Sequence, residues 1–194
     1  MIIGIDIDDT LTDIRDKIKI EATNYAKKLG KIVNDEYNYI EDKNNGNTYQ
    51  QKYGFTYEEL KYFLKEIQEE ITKNAKPREK VKETIKKLRE EGHKIYIITA
   101  RDKEFHDDPY MLSKDWLDKN KIEYDKIIVN ARDKAKICKE KKVDIFIDDQ
   151  LANCMKVSSE GIKVIRITDY KEEHGDIINK SNWEEIYKYI KEME

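Results

Sequence analysis

The chain has 194 residues, of which 41% are charged, with 38 basic and 41 acidic side chains and a net charge of −3 at neutral pH. That length fits one domain, or one domain with a modest insertion, and the interleaving of acids with bases excludes a polybasic surface for extended nucleic acid. No apolar run is long enough to predict a membrane span, and two isolated cysteines, Cys138 and Cys154, imply structural thiols in a reducing, cytoplasmic setting.

The N-terminus reads Met1-Ile-Ile-Gly-Ile-Asp6-Ile-Asp8-Asp9-Thr10. Ile2, Ile3, Ile5 and Ile7 predict a strand over 2–7, buried on both faces of a parallel sheet. Asp6 and Asp8, two residues apart, would point to one side of it. Such carboxylates repel unless a cation lies between them or one holds a proton. Open α/β sheets bind ligands at the carboxyl ends of their strands. The pair therefore points to a metal-assisted acid/base or nucleophilic site, the alternative being ordinary turn or capping aspartates.

The next strand signal comes only at 94–99, roughly 85 residues later. Residues 15–76 read as a helical insertion leaving near residue 13 and returning near Pro77. Its first helix carries Ile14, Ile18, Ala22, Tyr25, Ala26 and Leu29. A second opens on the capping box Thr56-Tyr-Glu-Glu59 and carries Tyr57, Leu60, Leu64, Ile67 and Ile71 on one stripe. A polar, Asn-rich connection around Asn44–Thr48 joins them. Seven of the thirteen tyrosines fall within 25–62. They form either an aromatic platform for a nucleobase or the insertion's own core. Tyr49 and Tyr53 flank the polar connection and fall off the apolar stripes, which favours the platform for those two.

From residue 77 onward strands and helices alternate. Val81, Ile85 and Leu88 mark a helix that Gly92 stops. Further strands are predicted over 94–99, 125–129, 143–147 and 162–167. Pro109, capped by Asp108, starts a helix, and Ser181-Asn-Trp-Glu184 is a capping box for a last one carrying Trp183, Ile186, Tyr187 and Ile190. The alternation predicts an α/β fold with a Rossmann-like, doubly wound parallel sheet and a small helical cap inserted after the first strand. The core would comprise 1–14 and 77–194 and the cap 15–76.

Three further elements fall where the first aspartates need them. Strand two ends in Thr99-Ala100-Arg101, a hydroxyl followed by backbone N–H groups able to hold phosphate oxygens. Strand four ends in Asp148-Asp149, and Lys134 lies near the start of the preceding helix. Taken singly, Thr99 reads equally as a turn residue, Asp149 as a helix cap, and Lys134 as a surface lysine that Lys136 could replace. Taken together, in this order and on these strand ends, they converge on one site. Arg101 reads either as a phosphate or cap-substrate contact or as the partner of a surface acid. His106-Asp107-Asp108 does not amount to a metal site.

The set Asp6-Ile-Asp8-Asp9-Thr10, Thr99, Lys134 and Asp148-Asp149 resembles the four motifs of the haloacid dehalogenase-like superfamily. Ile97-Ile-Thr-Ala-Arg101 and Asp144-Ile-Phe-Ile-Asp-Asp149 resemble the bacterial nucleotidases related to 5′(3′)-deoxyribonucleotidases. The resemblance covers the whole core and implies a phosphomonoesterase. Asp6 is the implied nucleophile and Asp8 the general acid, then base. Mg2+ is implied on Asp6, the Asp8 carbonyl and Asp148, with Asp149 orienting a bound water. Thr99 and Lys134 would hold phosphate, and Asp9, Thr10, Ala100 and Arg101 complete the implied substrate-binding set. Asp9 stands where many relatives have Gly. The implied substrate is a small phosphate ester, a nucleoside monophosphate first. Another phosphate ester, or a non-catalytic phosphate-binding domain, are the other readings, and self-association stays open.

Overall fold

The computed structural model describes residues 1–37 and 48–193. The Asn-rich connection lies outside the described residues, apart from Thr48. Six strands form one parallel sheet: β1 (Ile2–Ile5), β2 (Lys94–Ile98), β3 (Lys126–Ile128), β4 (Ile145–Asp148), β5 (Lys163–Ile167) and β6 (Ile178–Lys180). Their order is β3-β2-β1-β4-β5-β6, with β1 at the centre beside β2 and β4. Five of the six are the expected strands. The sixth, β6, is a three-residue edge strand that the sequence does not signal, because Asn179 and Lys180 replace the β-branched run.

Alternation within the strands supplies both faces of the sheet. Ile3, Ile5, Ile95, Ile97, Ile145 and Ile147 pack on one face. They meet α5 (Val81–Glu90), α6 (Pro109–Lys119) and α9 (Trp183–Glu192) through Leu88, Trp116 and Trp183. Tyr96, Ile98, Phe146 and Val164 pack on the other face, against α7 (Lys134–Glu140) and α8 (Leu151–Ser159), where Cys138 and Cys154 are buried and unlinked. Gly4 in β1 is closely packed: a Cβ there would lie 3.0 Å from Ile98 Cδ1 and 3.1 Å from the Phe146 ring, so both neighbours would have to shift.

Local signals set most helix ends as expected. Asp108 caps α6 and Pro109 starts it, while Gly92 follows α5 with φ 88°. One cap moves by a residue. Asn182, not Ser181, caps α9, accepting from the Glu185 N–H, while the Glu185 carboxylate accepts from Ser181 N–H. The glutamate therefore reaches past the cap to Ser181, so the reciprocal box expected there is only half made.

Between β1 and β2, residues 15–76 carry α1 (Arg15–Lys28), α2 (Thr48–Tyr53), α3 (Tyr57–Tyr62), a π-helical turn (Phe63–Gln68) and α4 (Glu69–Lys73), with no strand among the described residues. The Thr56–Glu59 capping box is present. Most of the expected stripe holds: Leu60 and Ile71 are buried, and Leu64 and Ile67 pack against the insertion's own core. Phe63, fully buried, joins Ala22, Ala26, Tyr53, Phe55 and Leu60 in that separate aromatic cluster, while Tyr57, at the start of α3, is 45% exposed. The chain leaves and re-enters the core at one place, where Thr12 pairs with Pro77 and the Arg78 N–H donates to the Leu11 carbonyl at 2.8 Å. No helix among the described residues is long and apolar enough to cross a membrane.

Candidate active site

The register of the sheet gathers the acids. Ile5 pairs with Ile147, and the next amide, Asp6 N–H, donates to the Ile147 carbonyl, so Asp6 and Asp148 end adjacent parallel strands. The strand stops at Ile5, two residues earlier than expected. Its continuation turns sharply: the N–H groups of Thr10, Leu11 and Thr12 all donate to the Ile7 carbonyl. Asp8 is thus placed by a turn rather than by strand alternation.

Lys134, the first residue of α7, is 5% exposed and joins the two strand ends. Its Nζ donates to Asp6 Oδ1 at 2.7 Å and to Asp148 Oδ2 at 2.6 Å. Lys136 is exposed and uninvolved. Burial alone would favour a neutral amine, but the Asp148 and Asp6 carboxylates raise the Lys134 pKa, so it stays charged. Burial, against Lys134 and with the nearby Asp148 and Asp8, pushes Asp6 up to about 7.

Asp8 has a different partner. Arg101, 6% exposed, grips both its oxygens, Nε to Oδ2 and Nη2 to Oδ1, each at 2.8 Å, and its Nη1 donates to Ser113 Oγ at 3.2 Å. Burial would raise Asp8, but the guanidinium overrides it and holds the carboxyl below its ordinary value. Arg101 pairs with an acid, as one expected role had it, but not with a surface one. Its partner is an acid of the site itself.

Asp9 adopts φ 58°, the left-handed region that explains a glycine preference at this turn and that aspartate tolerates. Its N–H donates to Thr12 Oγ1 at 3.0 Å, and its carboxylate accepts from the Ile14 N–H at 3.1 Å and faces Arg15 Nε at 3.4 Å. Thr10 is fully buried beneath the site, its hydroxyl on Asp149 at 3.3 Å. Asp149 does not cap α8; Gln150 stands at that position. The other Asp149 oxygen meets Arg15 Nη2 at 2.6 Å. Burial, together with the charges of Asp148 and Asp9 and despite Arg15, raises Asp149 well above the ordinary carboxylate range. Thr99 is buried at the end of β2, its Oγ1 accepting from the Arg101 N–H, while Ala100 is exposed beside it.

Asp6, Asp8, Asp9, Thr99, Ala100, Arg101, Lys134, Asp148 and Asp149 line one cavity of about 260 Å³, and Thr10 does not. Six lining residues were not anticipated at the site: Arg15, Ile18, Lys19, Gln68, Gln150 and Asn153. Asn153 Nδ2 donates to Asp148 Oδ2 at 3.2 Å. Gln68 ends the π turn, and its Oε1 accepts from Tyr49 OH at 2.6 Å. Tyr49 and Tyr53 close the wall opposite the acids, but Tyr53 is 3% exposed and belongs to the insertion's aromatic core as well.

The donor set suits a hard divalent cation. Five carboxylates, Asp6, Asp8, Asp9, Asp148 and Asp149, share three paired cations, Lys134, Arg101 and Arg15, and their crowding is what a divalent cation would relieve. Every acidic donor is oxygen, and no His or Cys lines the cavity. Among the described residues, no three acidic, histidine or cysteine side chains already form a cage. The resident cations occupy the carboxylates instead. His106, Asp107 and Asp108 are spent elsewhere, on Glu69, Lys65 and the α6 cap.

Residues 1–193 match the family described as 5′ nucleotidase, deoxy (pyrimidine), cytosolic type C protein. A protein named a nucleotidase from Clostridium acetobutylicum is 32% identical over 189 residues, 95% of this chain and 91% of that one. CbbY from Rhodobacter sphaeroides superposes with a TM-score of 0.67 at 12% identity over 94% of each chain. A haloacid dehalogenase-like family hydrolase from Streptococcus pneumoniae gives 0.63 at 17% identity over 97% of each. At such identities the two solved structures are alike in fold.

Proposed function

The chain belongs to the family of 5′ nucleotidase, deoxy (pyrimidine), cytosolic type C proteins, within the haloacid dehalogenase-like superfamily, and from that premise we propose that it is a magnesium-dependent phosphatase of nucleoside monophosphates working through an aspartyl-phosphate. The observation that carries the reading is the Lys134 bridge. One buried ammonium holds Asp6 and Asp148 side by side at the floor of a cavity whose far wall is aromatic. Asp6 attacks phosphorus, and the Asp6–phosphate bond forms as the ester oxygen leaves. Lys134 and Thr99 hold the phosphoryl oxygens where charge develops. Asp8 protonates the leaving oxygen and then, as carboxylate, takes a proton from the water that cleaves the acyl phosphate. Arg101 fixes both Asp8 oxygens, so the carboxylate keeps one orientation between the two half-reactions. Asp6, the Asp8 carbonyl, Asp148 and Asp149 would hold Mg2+, which supplies charge neutralisation for the phosphate when bound.

Residues 15–76 act as the cap over this core, through the wall formed by Arg15, Tyr49, Tyr53 and Gln68. Burial raises both thiols, Cys138 to about 12, which supports reading them as inert structural cysteines.

A panel of phosphate esters tests this reading. Nucleoside monophosphates should be hydrolysed with Mg2+, turnover should vanish on chelation and return with Mg2+, and Asp6→Asn should abolish it in a folded protein. Full activity after exhaustive chelation, or near-normal turnover by Asp6→Asn, would rule the mechanism out.

A further inference from the structure

We propose that Arg15 is a resident counter-ion of Asp149 that an incoming divalent cation must displace, and that this displacement is passed to the insertion because Arg15 is the first residue of α1. The inference rests on the proposed metal site and adds a residue that none of its motifs contains.

The geometry is specific. Arg15 Nη2 lies 2.6 Å from Asp149 Oδ2, and its Nε faces Asp9 Oδ2 at 3.4 Å. The other oxygen of each acid is held by the core turn or by the first amide of the hinge: Thr10 Oγ1 lies on Asp149 Oδ1, and Ile14 N–H on Asp9 Oδ1. Arg78, on the returning segment of the hinge, donates twice to the Asp9 carbonyl, at 3.0 and 3.1 Å. Arg15 is therefore a tie between the insertion's first helix and the acid pair that ends β4. Its side chain is 21% exposed and that of Asp149 is 11%, so the pair is only partly screened.

A divalent ion drawn to the crowded carboxylates needs Asp149, directly or through water, and a guanidinium at 2.6 Å occupies the same oxygen. Two cations do not share one carboxylate oxygen without repulsion. Ion binding then loosens the Arg15 tie, while Lys134 keeps Asp6 and Asp148 in place. Arg15 lines the cavity, so the released guanidinium stays beside the phosphate site rather than leaving it. A coupling of this kind is reciprocal: whatever strengthens the Arg15–Asp149 tie weakens ion binding, and the reverse.

Calorimetric titration of Mg2+ into the chelated full-length protein tests it. Arg15→Gln should bind Mg2+ roughly five- to tenfold more tightly than wild type, the size expected for removing one partly buried competing ion pair. Arg15→Lys keeps a charge without the fork and should fall between. In wild type, Mg2+ should speed hydrogen exchange at the Ile14 and Ile18 amides, and in Arg15→Gln it should not. Wild type that binds Mg2+ while Arg15→Gln binds it no more tightly would overturn the inference and leave the proposed function standing. Wild type that binds no divalent ion would remove the proposed metal site itself. If Arg15→Gln does not fold, the wild-type exchange experiment decides alone, and unchanged rates at Ile14 and Ile18 on saturation with Mg2+ overturn the inference.

Discussion

The two aspartates of the first motif sit two residues apart and face opposite electrostatic problems. Asp6 is buried against one shared ammonium and is pushed up to about 7; Asp8 is gripped by a guanidinium and is held below its ordinary value. The two neighbouring carboxylates thus differ in proton affinity, Asp6 keeping its proton to higher pH than Asp8. Arg101 is the residue that makes the difference. Arg101→Gln should lower kcat by roughly 10- to 100-fold, in the range of general acid–base contributions, with a smaller change in KM. With the guanidinium gone, burial dominates at Asp8, so in the hydrolysis of the acyl phosphate, where Asp8 is the base, the acidic limb of the kcat profile should move to higher pH. Arg101→Lys should restore the charge but not the two-point grip. A pH–rate profile with an unmoved acidic limb and an unchanged kcat would show that Arg101 does not act through Asp8.

Among the elements, the π-helical turn at Phe63–Gln68 has the largest consequence. It interrupts a helix that began with a full capping box, starts at Phe63 in the insertion's core, and ends at Gln68 on the cavity wall. α2 completes the arrangement, because Tyr49 OH fixes the Gln68 amide by its oxygen at 2.6 Å. Tyr49 is also stacked 9° from parallel with Phe55, so replacing it by Ala would disturb the fold as well as the wall. Tyr49→Phe isolates the hydroxyl. It should leave stability within about 1 kcal/mol, the net value of one hydrogen bond. It should lower kcat/KM for a nucleotide several-fold while leaving a small aryl phosphate unaffected, because only a substrate long enough to touch the insertion senses Gln68. Equal losses on both substrates would place the effect in the chemistry rather than in recognition.

Across the whole molecule, the crowding of carboxylates makes stability depend on pH. Asp6, raised to about 7, keeps in the folded state a proton that the unfolded chain releases near its ordinary value of 3.8. The folded state thus binds more protons between those values, and stability falls as pH rises through that window. Asp149 is raised and works in the same direction. Asp8 is lowered, so its contribution is lost only on acidification below the ordinary carboxylate range, outside this window. The chelated protein should accordingly have a lower Tm at pH 7.5 than at pH 5. Mg2+ should raise Tm more at pH 7.5, by several degrees, since about 1 kcal/mol moves Tm by roughly 2–4 °C at this chain length. Calorimetric scans at the two pH values, with and without Mg2+, check both signs. An ion-induced shift that is the same at both would mean the cluster is not where the ion acts.

What the sequence determined by itself is the set of strand ends and the residues on them. β-branched runs and the carboxylates, hydroxyl and lysine that follow them are local features, and the order of parallel strands brings their ends to one edge: hence Asp6, Thr99, Lys134 and Asp148 were legible before any coordinates. Caps and stops at Thr56, Asp108 and Gly92 were legible for the same reason, since each acts on backbone groups within one turn. Only the tertiary structure decided the pairings. Arg101 with Asp8 and Arg15 with Asp149 join residues 93 and 134 positions apart. In a chain this rich in charge, any arginine has many candidate acids, and burial beside one of them makes the choice. The π turn and β6 were hidden for a related reason. A one-residue change in helical register and a three-residue edge strand leave almost no trace in periodicity, and both are held by packing against neighbours distant in sequence.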